Sequence, residues 1–271
     1  MRKLRRIVTL LVLLNLLVTG CGDRGHGEGL KGSITIAGST SVQPFSEVLA
    51  EEFMALYPGT RVNVQGGGSS QGIEAVRNRV CDIGASSREL SSGEKGLHEF
   101  LIAKDGIVLV VHPSNPIDNL SLTQVRDIFG GYIENWQEVG GSRADIVLVS
   151  REAGSGTREG FETLAMDGES VSDRALIANS TGAIRMIVAG DRNAIGYVSL
   201  AVLDSTVKPL KIDGVEPTAE NILNGSYPIS RPFIYLTREE PEGLTRTFID
   251  FVLSDKGQSI LENEGAVRVK Q

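Results

Sequence analysis

Histidine and cysteine are scarce in this chain, three of one and two of the other in 271 residues. His26, His98 and His112, scattered and with at most one free cysteine, do not make a metal site, which takes three or four such ligands in one place. No metal and no other cofactor is expected. The same shortage weighs against a serine hydrolase. Gly68-Ser69-Ser70-Gln71-Gly72 fits G-x-S-x-G between a strand-like and a helix-like run, which would make Ser70 a nucleophile. A triad also needs an imidazole, usually late in the chain, and the 159 residues after His112 hold none. Nucleotide-binding signatures are missing too: the GSGT stretch at 154–157 lacks the lysine of a P-loop, and no G-x-G-x-x-G opens the first helix. Positive charge is in deficit, with 27 basic against 34 acidic residues, a formal −7. Setting aside the four basic residues of 1–20 leaves 23 against 34, a formal −11. Nucleic acid and anionic membrane surfaces are poor partners for such a chain, although a small anion answers only to its local donors. Beyond the N-terminus no segment approaches 18 consecutive apolar residues, so nothing later reads as a membrane span.

What is present begins with that N-terminus. MRKLRR is a basic leader, and Ile7 to Val18 is an apolar run too short to span a bilayer, which takes roughly 20 residues. Residues 1–20 are expected to be a signal peptide. The run ends in Val18-Thr19-Gly20-Cys21, similar to a bacterial lipobox, in which Cys21 carries the lipid; a plain cleaved leader is the alternative. Several acyl chains on one cysteine are enough for stable anchoring. Glycine-rich residues 21–32 read as a flexible tether, its last eleven residues spanning roughly 18–20 Å. The folded part is thus expected outside the cytoplasm, held at the outer face of the cell membrane, as a monomer. Cys81, at the start of the run CDIGA, reads as a small buried hydrophobe.

From residue 33 strand-like and helix-like runs alternate. SITIAG, RVNVQG, CDIGAS, GIVLVVH, ADIVLVS, NAIGYVSL and RPFIYLT read as strands, GIVLVVH being apolar on both faces. A helical pattern on Val42, Phe45, Leu49, Phe53 and Leu56 stops at Pro58-Gly59, and Ser121 to Gln124 has the form of a capping box. The C-terminal run from Gly243 to Asn263 is amphipathic. This order predicts an α/β fold with mainly parallel sheets.

Three places repeat one grammar of strand, Gly/Ser/Thr cluster and helix: AGSTSVQPF (37–45), QGGGSSQGIEAV (65–76) and REAGSGTREGF (151–161); DIGASSREL (82–90) shares the strand and the serines. The first turn of a helix leaves about four N–H groups without intrahelical partners, and the helix dipole adds positive potential there. Small residues let an anion reach that backbone, and hydroxyls add donors. Arg151, ending a strand just before such a helix, is the best candidate for a charge contact. Arg158 is the weaker one, since first-turn arginines commonly face water.

AGSTSVQPF, GGGSSQGI, DIGASSREL, REAGSGTREGF and AIGYVSL, in that order, resemble the phosphate-binding lipoproteins of high-affinity phosphate ABC transporters, over essentially all of residues 33–271. The resemblance implies a type II periplasmic-binding-protein fold, two α/β domains joined by two crossover strands and closing on one phosphate. It implies domain I at 33–111 and 230–271 and domain II at 112–229, with GIVLVVH and YPISRPFIYL as crossovers. It implies a phosphate site of Thr40, Ser41, Ser69, Ser87, Arg151, Ser155, Gly156 and Thr157, no catalysis, and delivery to permease and ATPase subunits. Another tetrahedral oxyanion, sulfate or molybdate, is the alternative cargo. In the family the resemblance points to, many members hold an aspartate where Ser87 stands; that carboxylate accepts a hydrogen bond from protonated phosphate and helps exclude sulfate, whereas serine can still accept through its lone pairs but does not repel a fully ionised anion. Glu89 and Glu152 are candidate substitutes.

Overall fold

The computed structural model describes residues 29–269. The leader, Cys21, His26 and most of the tether lie outside them. In chain order the strands and helices are β1 Gly32–Gly38, α1 Gln43–Leu56, β2 Thr60–Gly66, α2 Ser69–Arg77, β3 Ile83–Ser86, β4 His98–Val111, β5 Asn119–Leu120, α3 Leu122–Gly130, β6 Val147–Arg151, α4 Gly156–Leu164, β7 Leu176–Ala178, α5 Thr181–Gly190, β8 Ala194–Ser199, β9 Lys208–Pro209, β10 Lys211–Ile212, α6 Ala219–Leu223, β11 Ser230–Thr237, α7 Gly243–Leu253 and α8 Asp255–Asn263. Local chemistry accounts for many boundaries. Pro44 enters α1 in its first turn, where a missing N–H costs nothing. Ser121 and Gln124 close the expected capping box on α3. The C-terminal amphipathic run resolves into two helices because Ser254 leaves the helical conformation and caps the second through Oγ. No helix follows the serines of DIGASSREL directly; a 3-10 turn at Ser92–Glu94 stands there instead.

The principal sheet runs β2-β1-β3-β11-β4-β8-β6-β7, with β9 beside β4. β1 pairs in parallel with β2 and β3, and β6 with β7 and β8. Every antiparallel step of this sheet involves β4 or β11. Two parallel halves are therefore stitched together by one antiparallel pair. β4 is 14 residues long; its first part pairs with β11 and its last five residues with β8.

The buried apolar residues divide in the same place. Ile34, Ile36, Phe45, Phe53, Phe233, Tyr235 and Phe248 share one cluster on the first half, with Ile73, Val76, Cys81 and Leu236 on the opposite face. On the second half Ile107, Leu109 and Val111 join Phe129, Phe161 and Tyr197, while Val108 and Val110 face the other way toward Ile184 and Val188. GIVLVVH is thus buried on both faces, as its composition predicts. Cys81 is buried, and desolvation, with the charge of Asp82 second, pushes its thiol up to about 11. A thiol so seldom ionised near neutrality is a poor nucleophile. A disulfide reagent is expected to leave Cys81 unmodified in the folded protein over hours and to titrate it fully in denaturant; rapid labelling of the native chain would contradict this burial.

Among the described residues no helix is long and apolar enough to cross a membrane, and no group of three or more His, Cys, Asp or Glu side chains is placed to hold a metal.

Candidate functional site

Four helix beginnings meet where the two halves of the sheet face each other. After β1 the chain turns at Ser39, whose Oγ accepts from Ser41 N and whose carbonyl accepts from the N–H groups of Val42 and Gln43. Ser39 is thus the effective cap of the turn leading into α1, and Thr40 and Ser41 stand in that turn. At the start of α2 the Gly68 N–H donates to Gly38 O at 2.9 Å, which ties the second loop to the first. Ser155 caps α4, its Oγ accepting from Arg158 N, and leaves Gly156 and Thr157 in the first turn. Ser180 caps α5 in the same manner.

The side chains from these starts converge. Ser41 Oγ lies 3.0 Å from Thr157 Oγ1 and 2.9 Å from Thr181 Oγ1. Ser69 Oγ accepts from Ser87 N at 3.0 Å and lies 3.3 Å from Ser87 Oγ. Gly156 packs against both of those serines. Ser41, Ser69, Ser87, Ser155, Thr157 and Thr181 are all buried. Thr40 Oγ1 is buried with no hydrogen-bond partner. An unsatisfied buried hydroxyl costs free energy, and an anion held beside its chain neighbour Ser41 would satisfy it.

Two arginines complete the cage. Arg151 is 1% exposed. Its Nε and Nη2 donate to the two oxygens of Glu152, and Nη1 donates to Thr181 Oγ1 at 3.1 Å. Arg231, on β11, is 4% exposed. Its Nε and Nη2 donate to Asp105 Oδ2 at 3.0 and 2.8 Å, Nη1 to Ser87 Oγ at 3.3 Å, and Nη2 also to Ser41 Oγ at 3.2 Å. Each guanidinium is therefore gripped by a carboxylate along one edge and turns N–H groups toward the hydroxyls. Burial raises the Asp105 carboxyl and lowers the Arg231 guanidinium, and the opposite charge pulls each back. Ser199 Oγ and Leu200 N also donate to Asp105, so four hydrogen bonds favour the carboxylate over the acid.

Of the residues expected at the anion site, Ser41, Ser69, Ser87, Arg151, Gly156 and Thr157 are brought together by these contacts, and Thr40 and Ser155 adjoin Ser41 and Gly156 in the chain. The substitute acceptors are not free: Glu152 is taken by Arg151 and Glu89 is exposed. Arg158 pairs with Glu162 and donates to Arg151 O, behind the cage. Ser70 accepts from Arg88 and donates to Glu159. The described histidines pair elsewhere, His98 with Glu240 and His112 with Ser114, so no imidazole among them activates Ser70. Three cage residues went unread in the sequence. Thr181 follows the same strand–Ser/Thr/Gly–helix grammar, in LIANSTGAI. Asp105 and Arg231 carried one signal, opposite charges inside two apolar strand-like runs.

A family model described as PBP superfamily domain matches residues 25–256. The phosphate-binding protein PstS of Bacillus subtilis (strain 168) is 33% identical over 99% of this chain and 95% of its own length. A protein of Clostridium perfringens, solved with bound phosphate as a phosphate ABC transporter substrate-binding protein, is 44% identical; the match covers 88% of this chain and all of that one, with a TM-score of 0.86. An ABC-type phosphate transport receptor from Vibrio cholerae is 37% identical over 87% of this chain and all of that one, with a TM-score of 0.75.

Proposed function

This chain belongs to the family of phosphate-binding proteins of ABC transporters, within the PBP superfamily, and from that premise we propose that it captures inorganic phosphate between its two halves and delivers it to a permease. It has the type II periplasmic-binding-protein fold of that family, which is one of binding proteins and not of enzymes. The observation that carries the proposal is the approach of Ser41 Oγ to within 3.0 Å of both Thr157 Oγ1 and Thr181 Oγ1, each more than a hundred positions away from it in the chain, beside a buried arginine.

In this reading Thr40, Ser41, Ser69 and Ser87 hold the ion from one lobe. Arg151, the first-turn N–H groups of Gly156 and Thr157, and the Thr157 hydroxyl hold it from the other, with Ser155 capping the helix that presents them. The lobes follow the expected 33–111 with 230–271, and 112–229, except that residues 107–111 pack into the core of the second. The apolar clusters suggest a hinge lying inside β4, between Ala103 and Ile107, and just before Phe233 on β11. The interlobe contacts are those of a closed form. Phosphate stabilises closure because only the closed form offers both sets of donors. Proteins of this family act outside the cytoplasm; we add that Cys21 carries the lipid that holds this one at the membrane, after removal of residues 1–20, and that it works as a monomer.

Calorimetry with phosphate, arsenate, sulfate and molybdate tests the proposal: phosphate and arsenate are expected to bind, and binding of none of the four would end it. Arg151→Ala removes a charge-assisted hydrogen bond worth about 1.5–3 kcal/mol, so phosphate affinity is expected to fall about 10- to 150-fold. An unchanged affinity would exclude Arg151 from the site.

A further inference from the structure

Four hydroxyls of the cage each already accept an N–H. Ser41 Oγ and Ser87 Oγ accept from Arg231, Thr181 Oγ1 from Arg151, and Ser69 Oγ from the Ser87 backbone. A hydroxyl has one hydrogen to give and two lone pairs. Filling a lone pair with a cationic donor polarises the O–H and strengthens it as a donor in turn. The two carboxylates in reach are filled as well. Asp105 Oδ1 accepts from Ser199 and Leu200, and its Oδ2 twice from Arg231. Both oxygens of Glu152 accept from Arg151. The cage is rich in donors, its carboxylate acceptors are filled, and what can still accept are neutral hydroxyls such as Thr40 Oγ1.

We propose that Arg231, held by Asp105, determines the protonation state of the ligand, so that the cleft takes phosphate as its dianion and does not reject a tetrahedral dianion that lacks a proton. This rests on the reading of the cleft as an oxyanion site. The phosphate monoanion brings two protons, each of which needs an acceptor, while the dianion brings one and sulfate none. A carboxylate pointing into the cage would accept a hydrogen bond from a protonated anion and repel sulfate; Ser87, neutral and with one lone pair taken by Arg231, is a weak acceptor and repels neither anion. Other charged and titratable groups surround the cage without facing its hydroxyls. Tyr197, whose phenol is pushed up to about 12 by burial, bonds Ser150 and Arg151 N. Arg158 pairs with Glu162. Arg88 pairs with Glu94 and Glu159, and both Arg88 and Glu159 bond Ser70 rather than the cage hydroxyls.

The experiment is calorimetry of the purified chain with phosphate and with sulfate, in buffers of different ionisation enthalpy, at about pH 6 and about pH 8.5, on either side of the second ionisation of phosphate. Binding of the dianion releases close to one proton per phosphate at the lower pH and close to none at the higher. Sulfate carries no proton in this range, so any proton seen with it comes from the protein and is subtracted. No release at the lower pH and uptake at the higher would mean that the monoanion is taken, which overturns the inference and leaves phosphate capture standing; binding of neither anion would overturn both. Arg231→Gln frees a lone pair on Ser41 and on Ser87 and is expected to cut the proton release at the lower pH by at least about half, because the monoanion is then bound alongside the dianion. Ser87→Asp leaves the Asp105–Arg231 pair in place and serves should that variant not fold. It is expected to weaken sulfate at least about tenfold more than phosphate, by like-charge repulsion; equal weakening of both anions would overturn the inference.

Discussion

Asp105→Ala is expected to destabilise the folded chain by about 3–5 kcal/mol, the usual cost of removing one partner from a buried ion pair. Arg231 and Asp105 stand directly opposite one another in the β4/β11 pairing, and their side chains are 2% and 1% exposed. Truncation leaves a guanidinium without its counter-charge, in surroundings where the nearby Arg151 already disfavours its charge. Ser199 Oγ and Leu200 N lose their acceptor at the same stroke. In a chain of this size each kcal/mol moves the melting temperature by about 2–4 °C, so thermal unfolding is expected about 6–20 °C lower. The double variant Asp105→Leu with Arg231→Met, which removes both charges and keeps apolar volume, is expected to recover most of the loss. A single-variant loss below about 1 kcal/mol, measured by denaturant titration, would show that the pair is not a structural element.

Gly156→Ala is expected to reduce phosphate affinity at least about a hundredfold, equivalent to about 2.7 kcal/mol, while leaving the melting temperature of the ligand-free protein within about 2 °C of the parent. A Cβ at Gly156 would lie 2.1 Å from Ser69 Oγ and 2.8 Å from Ser87 Oγ. Both serines belong to the other lobe, so the clash exists only when the lobes are shut. Within α4 itself alanine is the better helix former, by up to about 1 kcal/mol in a helix interior. The substitution therefore bears on closure and spares the lobe that carries it. Titration calorimetry beside a melting curve separates the two effects. Full affinity would mean that the ion is held without this approach of the helix to the serines.

The two predictions draw on parts of the molecule that were unequally visible in the sequence. The helix beginnings at Thr40, Ser69 and Gly156 could be read because anion chemistry there is local: a strand, small residues and a helix start within about ten positions supply the donors. Arg151 belongs to the same local pattern. Thr181 belongs to it as well and was passed over because its strand, Leu176–Ala178, is three residues long and has two exposed apolar positions. That Asp105 and Arg231 pair with each other was hidden for a different reason. Its partners are 126 positions apart, and their meeting depends on the register of two antiparallel strands, which no local spacing encodes. The G-x-S-x-G around Ser70 is the converse case: its strand–turn–helix context is real, the missing imidazole already argued against a nucleophile, and the serine bonds Arg88 and Glu159.

The place of β11 in the sheet has a consequence for how the molecule assembles. It lies between β3 and β4 although about 120 residues separate it from β4 in the chain. The half of the sheet nearest the N-terminus cannot finish until nearly the whole chain has been supplied, whereas the segment between Ile107 and Ile229 holds almost all of its own core. Contacts between distant positions form slowly because loop closure must come first. As the chain emerges, the later segment is the one equipped to condense early, and the earlier one waits with the edges of β3 and β4 bare, open to the mispairing that partly folded sheets invite.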